Sequence, residues 1–355
     1  MTDTLRAKIE AWDGDAVVVS YDRPTGTWIF IALHDTSMAS SIGGSRMKTY
    51  PTPADGLEDA LRLGQGMTFK WAGVGIPFGG AKGVMAIPGR LDDETRDGLL
   101  RRYGRLVQSL EGRFRTGVDL GTTPEDLLTV AETCDYVVGV VDGRSEDPGP
   151  FTALGVFVGI RAAIAHRFAD DRVAGHSVLI QGVGDVGLPL AEMLVEAGAT
   201  VLLSDIDEDV ASRAAARLGA RVVDADEVYA TEVDVYAPCA VGATVNPDTI
   251  PLLRCAIVAG SANNQLLTPD DAAALHERGI LYAPDYIINA GGAVAFAGIY
   301  EGIDDVDELN GRVEMIEGSL ARIFDEAEAA DESPLAAARR VAEQFLATAG
   351  GDAGA

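Results

Sequence analysis

The spacing of apolar and polar positions in the first part of the chain predicts short strands that alternate with amphipathic helices. Apolar runs at Ala16–Ser20 and Thr27–Leu33 are typical of two strands joined by a turn that contains Pro24 and Gly26. Apolar side chains then recur at helical spacing. The predicted helices are 53–63, 99–110 and one that begins at Pro124 behind a Thr123 cap. This part of the chain is therefore predicted to be mixed α/β.

From residue 177 on, strand-like runs alternate with helical patterns, which is typical of a parallel sheet. The predicted strands are 177–181, 200–204, 220–223, 233–237, 256–259 and 280–283, with helices at 186–197 and 208–218. A helical pattern precedes them at 151–165, and helical spacing returns after Gly292. Ser333 and Pro334 begin a last predicted helix, which reaches about Ala347.

The loop from Asp142 to Pro150 is dense in acidic and turn-forming residues and is the best domain boundary in the sequence. The length of 355 residues suits two domains that each bury a core. We predict an α/β domain at 1–148, a parallel-sheet domain at 149–325 and a C-terminal segment, 326–355, whose helix returns to the first domain.

The chain is strongly acidic, with 55 acidic against 28 basic residues and a formal net charge of −27. This charge argues against nucleic acid and anionic membranes as partners. It destabilises a folded chain in dilute buffer, whereas molar salt shortens the Debye length to about 3 Å, so we hypothesise a halophilic source. Only four residues are lysine against 24 arginines. A GC-rich genome would also explain the scarcity of lysine, but it would not explain the excess of acids.

The remaining composition predicts neither export nor a metal site. The N-terminal segment lacks the apolar core of a signal peptide, and no uninterrupted apolar run approaches the length of a membrane span. Cys134, Cys239 and Cys255 are widely spaced, as expected of reduced thiols, and the four histidines lack metal-ligand spacing. We therefore expect a cytoplasmic protein without a bound metal.

Residues 182–187 read Gly-Val-Gly-Asp-Val-Gly, which fits the dinucleotide-binding pattern G-x-G-x-x-G. The pattern follows a predicted strand, begins a predicted helix and precedes by 23 positions an acidic residue at the end of the next strand. The predicted cofactor contacts are Gly182, Gly184, Asp185, Val186, Gly187 and Asp205. A 2′-phosphate would meet the like charges of Asp205 and Asp207, so NAD is predicted rather than NADP.

Two of the four lysines, Lys70 and Lys82, lie in one glycine-rich and nearly uncharged block, residues 64–83. Arginine stays charged, whereas a buried lysine can lose its proton near neutral pH. The two lysines are therefore the first candidates for catalysis.

Seven short blocks, most of which contain glycine together with amide or charged residues, occur along the chain. They are GGSRMKT at 43–49, GMTFK at 66–70, GGAK at 79–82, DLGTT at 119–123, YAPCA at 236–240, GSANNQ at 260–265 and APDYIINAGG at 283–292. In this order they closely resemble the amino-acid dehydrogenases of the glutamate/leucine/phenylalanine/valine family, nearest its leucine, valine and phenylalanine branch. The resemblance implies a substrate domain first, a Rossmann domain second, a cleft between them and a homo-oligomer assembled through the first domain.

The resemblance assigns the substrate carboxylate to Lys70, with help from the backbone of Gly43 and Gly44. It makes Lys82 the base that activates water and Asp119 the shuttle for the amine proton. The chemistry agrees, because oxidative deamination moves a hydride from Cα to the cofactor and leaves an iminium that water must attack. Lys82 can serve as that base only if its pKa falls from about 10.4 toward neutrality, which burial and the charge of Lys70 would cause.

The resemblance also implies contacts to the cofactor and to the substrate side chain. The implied cofactor contacts are Thr152, Ala240, Asn263 and Asn289, and Asn264 would touch the substrate or the nicotinamide. The implied side-chain pocket is apolar and is lined by Ile42, Gly117, Ala293 and Phe296.

An acidic side chain in such a pocket would be buried without a partner, at a cost of several kcal/mol, and no cation for a glutamate side chain is visible. We therefore predict an apolar L-amino acid of leucine or valine type as the substrate. An aromatic substrate, phenylalanine or tryptophan, stays open. Departures from the family pattern at Ala81, Val118 and Phe296 leave a third alternative, an NAD-binding relative with altered catalysis.

Overall fold

The computed structural model describes residues 8–38, 40–141, 144–145 and 147–349. The chain divides into two compact units, one comprising Met1–Asp147 with Ala342–Ala355 and the other Pro148–Val341. Three residues of the loop predicted as a domain boundary, 142, 143 and 146, lie outside the described residues.

The first unit is built on a five-stranded mixed sheet. Its strands are β1 (Ala16–Asp22), β2 (Thr27–Leu33), β3 (Ser41–Lys48), β4 (Gly79–Ala86) and β5 (Phe114–Val118), and their order is β1-β2-β4-β3-β5. Strand β3 lies between β4 and β5 and runs parallel to both, whereas β2 pairs antiparallel with β1 and β4. The helices are α1 (Pro53–Gly73), α2 (Asp93–Gln108) and α3 (Pro124–Ala131), and a short hairpin follows at β6 (Val140–Val141) and β7 (Arg144–Ser145).

The two faces of this sheet have different cores because side chains alternate along a strand. On one face, Ala81 and Met85 of β4 pack in a cluster with Leu99, Leu100 and Tyr103 of α2. The other face packs against α1, and its apolar members are Trp12, Phe30, Ala32, Ala60, Leu61, Val84 and Ala86. By the same alternation, Lys82 lies on the α1 face.

The glycine-rich block that contains both candidate lysines forms two different elements. Helix α1 extends ten residues beyond the predicted 53–63, through the glycines to Gly73, and Lys70 lies in its last turn. The helix begins at a Thr52–Asp55 capping box with proline in its first turn, which fixes its start. Lys82 lies on β4. Strands β3, β4 and β5 were not among the predicted elements.

The second unit contains a six-stranded parallel sheet, which confirms the predicted fold class. Its strands are β8 (Ser177–Gln181), β9 (Thr200–Ser204), β10 (Arg221–Val222), β11 (Val233–Pro238), β12 (Cys255–Val258) and β13 (Leu281–Tyr282). The spatial order β10-β9-β8-β11-β12-β13 is the 3-2-1-4-5-6 order of doubly wound dinucleotide folds.

The helices of the second unit are α4 (Gly149–Phe168), α5 (Gly187–Glu196), α6 (Glu208–Leu218), α7 (Asp271–Glu277), α8 (Asp285–Ile288), α9 (Gly291–Tyr300) and α10 (Val306–Ala330). Those predicted with bounds, α4, α5 and α6, begin and end within three residues of the prediction, whereas α7 and α8 were not predicted. The last helix, α11 (Pro334–Ala349), contains the boundary between the two units at Ala342. Helix α4 is long and apolar enough to cross a membrane, the one such helix in the described part of the chain, but it packs against α9 and α10 and half of it is buried.

Candidate active site

Lys82 and Asp119 form a buried ion pair at one end of the first sheet. Lys82 is on β4, Asp119 follows β5, and β3 runs between the two strands. The Lys82 Nζ and Asp119 Oδ1 atoms are 2.9 Å apart, and only 5% of Lys82 is exposed. The structure therefore brings the predicted base and the predicted proton shuttle into direct contact.

Glycine at two positions of β3 makes this contact possible. A Cβ added at Gly44 would lie 2.4 Å from the Val118 carbonyl oxygen and 2.8 Å from the Asp119 Cβ. A Cβ added at Gly43 would lie 1.7 Å from the Ala81 carbonyl oxygen. No side chain fits at either distance, so the absence of side chains on β3 lets its neighbours approach each other across it.

The turn that carries Asp119 is held by hydrogen bonds to β3. Thr122 Oγ1 accepts from the Asp119 amide at 3.0 Å and donates to the Ser45 carbonyl at 2.8 Å. The Met47 amide donates to the Leu120 carbonyl at 2.9 Å. These bonds explain the threonine of the Asp-Leu-Gly-Thr-Thr block, because its hydroxyl joins both sides of the turn.

A second cation, Arg46, contacts the other carboxylate oxygen of Asp119. Its Nε donates to Asp119 Oδ2 at 2.6 Å, and one terminal nitrogen donates to Asp59 Oδ2 of α1 at 2.9 Å. Burial alone would raise the pKa of Asp119, but the charges of Lys82 and Arg46 outweigh it and lower the pKa to about 2. Asp119 is thus a carboxylate in the folded protein throughout the neutral range.

Lys82 and Asp119 can exchange a proton through their one hydrogen bond. Lys70 is partly exposed near the end of α1. Arg46, Asp59 and Tyr50, whose hydroxyl donates to Asp59 Oδ2 at 2.7 Å, were not predicted as site residues. Arg46 lies in the GGSRMKT block of the family resemblance, and this position is the feature of the sequence that could have identified it as a site residue.

The two predicted pocket residues of the first unit are buried beside the site. Ile42 is 4% exposed, and its carbonyl accepts from the Trp71 indole at 3.2 Å. A Cβ added at Gly117 would lie 2.9 Å from Val138 Cγ2, so Val138 fills the space in front of this glycine. The methyl group of Ala81 points into the core on the α2 face, away from Lys82. Its presence in place of a glycine therefore affects packing behind the site.

The predicted nucleotide loop of the second unit joins β8 to α5. Gly182 has φ +101°, which favours glycine, and a Cβ there would lie 2.7 Å from the Ala240 Cβ. A Cβ added at Gly187 would lie 1.9 Å from the Gly182 carbonyl oxygen, so this glycine lets the helix begin against the strand. A Cβ at Gly184, by contrast, meets no atom within 4 Å. The open side of the loop is therefore at Gly184, with Asp185 and Val186 leading into the helix.

Asp205 fixes this loop from the end of the neighbouring strand. Its Oδ2 accepts from the Val183 amide at 2.8 Å, and its Oδ1 accepts from the Asp207 amide at 3.0 Å. Asp207 in turn caps α6 by accepting from the Asp209 and Val210 amides. Two carboxylates therefore stand where the fingerprint predicts the adenosine ribose.

Sequence profiles of one family match both units. "Glu/Leu/Phe/Val dehydrogenase, dimerisation domain" matches residues 20–139, and "Glutamate/Leucine/Phenylalanine/Valine dehydrogenase" matches residues 203–327. The leucine dehydrogenase of Bacillus cereus is 40% identical over 350 residues, which cover 98% of this chain and 95% of that protein. The chain belongs to the Glu/Leu/Phe/Val dehydrogenase family. It is an oxidoreductase that acts on CH–NH2 groups, and the family uses NAD or NADP.

Relatives of similar identity carry different substrate names. The phenylalanine dehydrogenase of Lysinibacillus sphaericus is 39% identical over 328 residues, covering 88% of this chain and 83% of that protein. The crystal structure of L-tryptophan dehydrogenase from Nostoc punctiforme matches with a TM-score of 0.85 at 38% identity, covering 97% of this chain and 99% of that one. Family membership thus gives the reaction class, an amino-acid dehydrogenase, and leaves the substrate side chain to the pocket.

Asn263 and Asn289, which are predicted to contact the cofactor, form one cluster in the second unit. The side-chain nitrogen of Asn289 donates to Asn263 Oδ1 at 2.8 Å and to the Ser261 carbonyl at 3.1 Å. Asn264 has φ +52°, which asparagine adopts more readily than most residues, and its carbonyl accepts from the Ala243 amide. These hydrogen bonds fix the orientation of the Asn289 side chain.

The remaining predicted residues of this dehydrogenase lie where α4 and α9 begin. The Thr152 hydroxyl donates to the Pro148 carbonyl at 2.9 Å, and a Cβ added at Gly292 would lie 2.8 Å from that hydroxyl oxygen. On α9, Ala293 is partly buried and Phe296 is 6% exposed. Thr152 therefore packs against the start of α9, and Ala293 and Phe296 lie further along the same helix.

An open groove of about 680 Å³ lies at the amino ends of the parallel strands, opposite the end that carries the glycine loop. Its lining includes Ser177, Val233 and Cys255, which begin β8, β11 and β12. Ligands of doubly wound sheets bind outside the carboxyl ends of the strands, where the glycine loop is. The groove at the amino ends is therefore not the dehydrogenase site.

Proposed function

We propose that this dehydrogenase catalyses the reversible oxidative deamination of an apolar L-amino acid by NAD, giving the 2-oxo acid and ammonia. The observation that supports it best is the buried Lys82–Asp119 pair, with Lys70 on the helix that covers the same face of the sheet. We propose residues 1–148 as the substrate domain, 149–325 as the cofactor domain and 326–355 as a segment that returns to the first.

The proposed chemistry uses three side chains of the first unit. Lys70 binds the substrate carboxylate, and the backbone of Gly43 and Gly44 adds hydrogen bonds to it. Asp119 takes a proton from the substrate ammonium, and loss of a hydride from Cα then leaves an iminium carbon. Lys82 removes a proton from water as the water oxygen bonds to that carbon, and Asp119 returns its proton to the nitrogen. The C–N bond breaks to release ammonia as the new hydroxyl loses its proton to solvent and becomes the oxo group.

A nicotinamide dinucleotide fits the second unit, and when bound it accepts the hydride. The space at Gly184 admits a pyrophosphate, and the amides at the start of α5 would donate to it. Thr152, Ala240, Asn263 and Asn289 are proposed to hold the nicotinamide end. We propose NAD rather than NADP, because the carboxylates of Asp205 and Asp207 would repel a 2′-phosphate.

The proposed substrate side chain is of leucine or valine type. The support is the apolar character of Ile42, Gly117, Ala293 and Phe296, and Asn264 is proposed to contact the substrate or the nicotinamide. An aromatic amino acid is the second candidate, because a tryptophan and a phenylalanine dehydrogenase are among the relatives.

We also propose that the enzyme is a cytoplasmic homo-oligomer adapted to high salt. The family profile for residues 20–139 is described as a dimerisation domain. Val19, Tyr21 and Trp28 lie exposed on the edge strand β1 and its neighbour, which suits a surface covered by another copy. The net charge of −27 supports the salt adaptation.

A panel of L-amino acids with NAD or NADP, followed at the NADH absorbance across a KCl series, tests these proposals. We expect the highest kcat/KM with a branched aliphatic substrate, NAD and molar salt. A preference for phenylalanine or tryptophan would replace the first candidate substrate by the second. Absence of turnover with every amino acid and both cofactors would contradict the proposed function.

A further inference from the structure

Arg46 occupies the centre of a chain of alternating charges behind the proposed catalytic pair. The chain runs from Lys82 through Asp119 and Arg46 to Asp59, and each link is a contact of 2.9 Å or shorter. Arg62, at the exposed end, donates to Asp59 Oδ1 at 2.8 Å. The Arg46 side chain is 11% exposed and that of Asp59 is 13% exposed, so solvent screens these contacts weakly.

We propose that Arg46 is a positioning residue that pins Oδ2 of Asp119 and keeps this carboxylate ionised, so that Oδ1 alone faces Lys82 and exchanges the proton. This inference rests on the proposed function, which gives Asp119 its task.

The division of the two carboxylate oxygens supports this role. Oδ1 contacts Lys82, a group that the proposed reaction cycles between two protonation states, whereas Oδ2 contacts an arginine, which keeps its charge throughout. When Lys82 has given up its proton, Arg46 is the cation that still contacts Asp119. Without it, a carboxylate as enclosed as Asp119 would take up a proton at higher pH.

The environment of Arg46 holds it in place for this task. It comes from β3, and Asp59 from α1 binds its far side, so that the guanidinium bridges a strand end and a helix. Tyr50 donates to the same Asp59 oxygen, and Asp59 raises the pKa of this phenol further above the level set by burial, so it stays protonated. Among the described residues, the ionisable groups in this chain of contacts are thus Lys82, Asp119, Arg46 and Asp59, with Tyr50 beside Asp59.

The test compares Arg46→Met and Arg46→Lys with the wild type by two readouts. Carboxyl carbon NMR, with Asp119→Asn to assign the signal, follows the Asp119 pKa without any need for turnover. We expect Arg46→Met to raise this pKa by about one unit or more, and Arg46→Lys, which keeps the charge, to raise it less. The acid limb of the kcat/KM profile should move to higher pH in the same order, with kcat lowered more than the substrate KM is raised.

Arg102→Met is the matched control, because Arg102 forms an ion pair with the buried Asp22 elsewhere on the same sheet, at 2.9 Å. It removes a comparable contact and should leave the Asp119 signal and the pH profile unchanged. If Arg46→Met fails to fold, Arg46→Gln, which also removes the charge but keeps a hydrogen-bond donor, should shift the same signal in the same direction.

An Asp119 pKa in folded Arg46→Met or Arg46→Gln equal to that of the wild type would overturn the inference, whatever happened to activity. Failure of the proposed function would look different. The wild type would then oxidise no amino acid, while the NMR titration would still report whether Arg46 sets the state of Asp119.

Discussion

The two units contain predicted sites built from opposite kinds of groups. In the first, charged side chains are buried in contact with one another, as Lys82, Asp119 and Arg46 are. In the second, the glycine loop and the Asn263–Asn289 pair offer backbone amides and neutral side chains. A group that moves protons must change charge during the reaction, whereas a nucleotide cradle only has to keep its shape.

This contrast also separates what each site contributes to the fold. Removing one member of the buried charge chain leaves its partner unpaired, which typically costs about 3–5 kcal/mol of stability. A Cβ added at Gly184 would meet no atom within 4 Å, so this position takes no part in core packing. Mutations in the first unit should therefore couple activity to stability, and some in the second should separate them.

The largest expected effect is that of Lys82→Ala. Without the base, kcat should fall by about 10³-fold or more, while NAD affinity measured by calorimetry stays close to that of the wild type. Lys8→Ala is the matched control, because Lys8 pairs only with Glu58 at the surface and should keep full activity. Near-normal turnover in Lys82→Ala would remove this lysine from the mechanism.

Gly44→Ala should have the next largest effect, because it pushes Asp119 away from Lys82. The added Cβ would lie 2.4 Å from the Val118 carbonyl oxygen, so the strand must shift. We expect about 10²-fold lower kcat, as for a misplacement near 1 Å, and a loss of about 1–3 kcal/mol in the free energy of unfolding.

Gly311→Ala serves as the control for backbone effects of the same substitution. Gly311 lies in α10 with no atom within 4 Å of an added Cβ, so alanine there should stabilise the helix by about 0.5–1 kcal/mol. Equal activity of Gly44→Ala and the wild type would mean that close approach at β3 is not needed for the reaction.

A pair of glycine variants tests the second unit in the same way. Gly184→Ala should fold as well as the wild type but bind NAD about tenfold or more weakly, because its methyl group would enter the proposed pyrophosphate space. Gly187→Ala should instead lose stability, because its Cβ would lie 1.9 Å from the Gly182 carbonyl. Thermal unfolding with and without NAD measures both. Unchanged NAD affinity in Gly184→Ala would place the pyrophosphate elsewhere.

The sequence predicted the second unit more completely than the first, for a physical reason. Strands 177–181 and 200–204 and helix 208–218 are found at the predicted bounds, because parallel strands buried on both faces give continuous apolar runs. The glycine fingerprint is likewise local, with its strand, loop and helix adjacent in the chain.

Strands of the first unit escaped prediction because their glycines allow close contacts between segments that are distant in the sequence. Strands β3 and β4 contain five glycines in 16 residues, which weakens any strand pattern. A side chain at Gly43 would collide with the Ala81 backbone of the neighbouring strand, and one at Gly80 would collide with Thr68 of α1. These close approaches join segments that are distant in the sequence, so no local pattern reveals them. Asp59 was likewise hidden as one of 55 acidic residues, and only its contact with Arg46 singles it out.

The smallest effect we predict concerns the pH dependence of stability in the first unit. Burial lowers the pKa of His34 below its usual 6.5, and its Nδ1 lies 2.9 Å from the Thr68 hydroxyl of α1. The folded protein therefore binds the His34 proton less readily than the unfolded chain does. This contribution to stability is fully present above pH 6.5 and is lost as the pH falls through the lowered folded pKa, with a slope of at most about 1.4 kcal/mol per pH unit.

His34→Gln keeps a hydrogen-bonding partner for Thr68 and removes the titration, so its stability should change less between pH 6.5 and 5 than that of the wild type. Chemical denaturation at several pH values measures this difference. The lowered pKa of Asp119 acts in a separate window, since its contribution is present above pH 4 and is lost only as the pH falls toward 2. If the free energy of unfolding of His34→Gln depended on pH as that of the wild type does, other groups would cause the loss of stability between pH 6.5 and 5. His34 would then contribute only packing between β2 and α1.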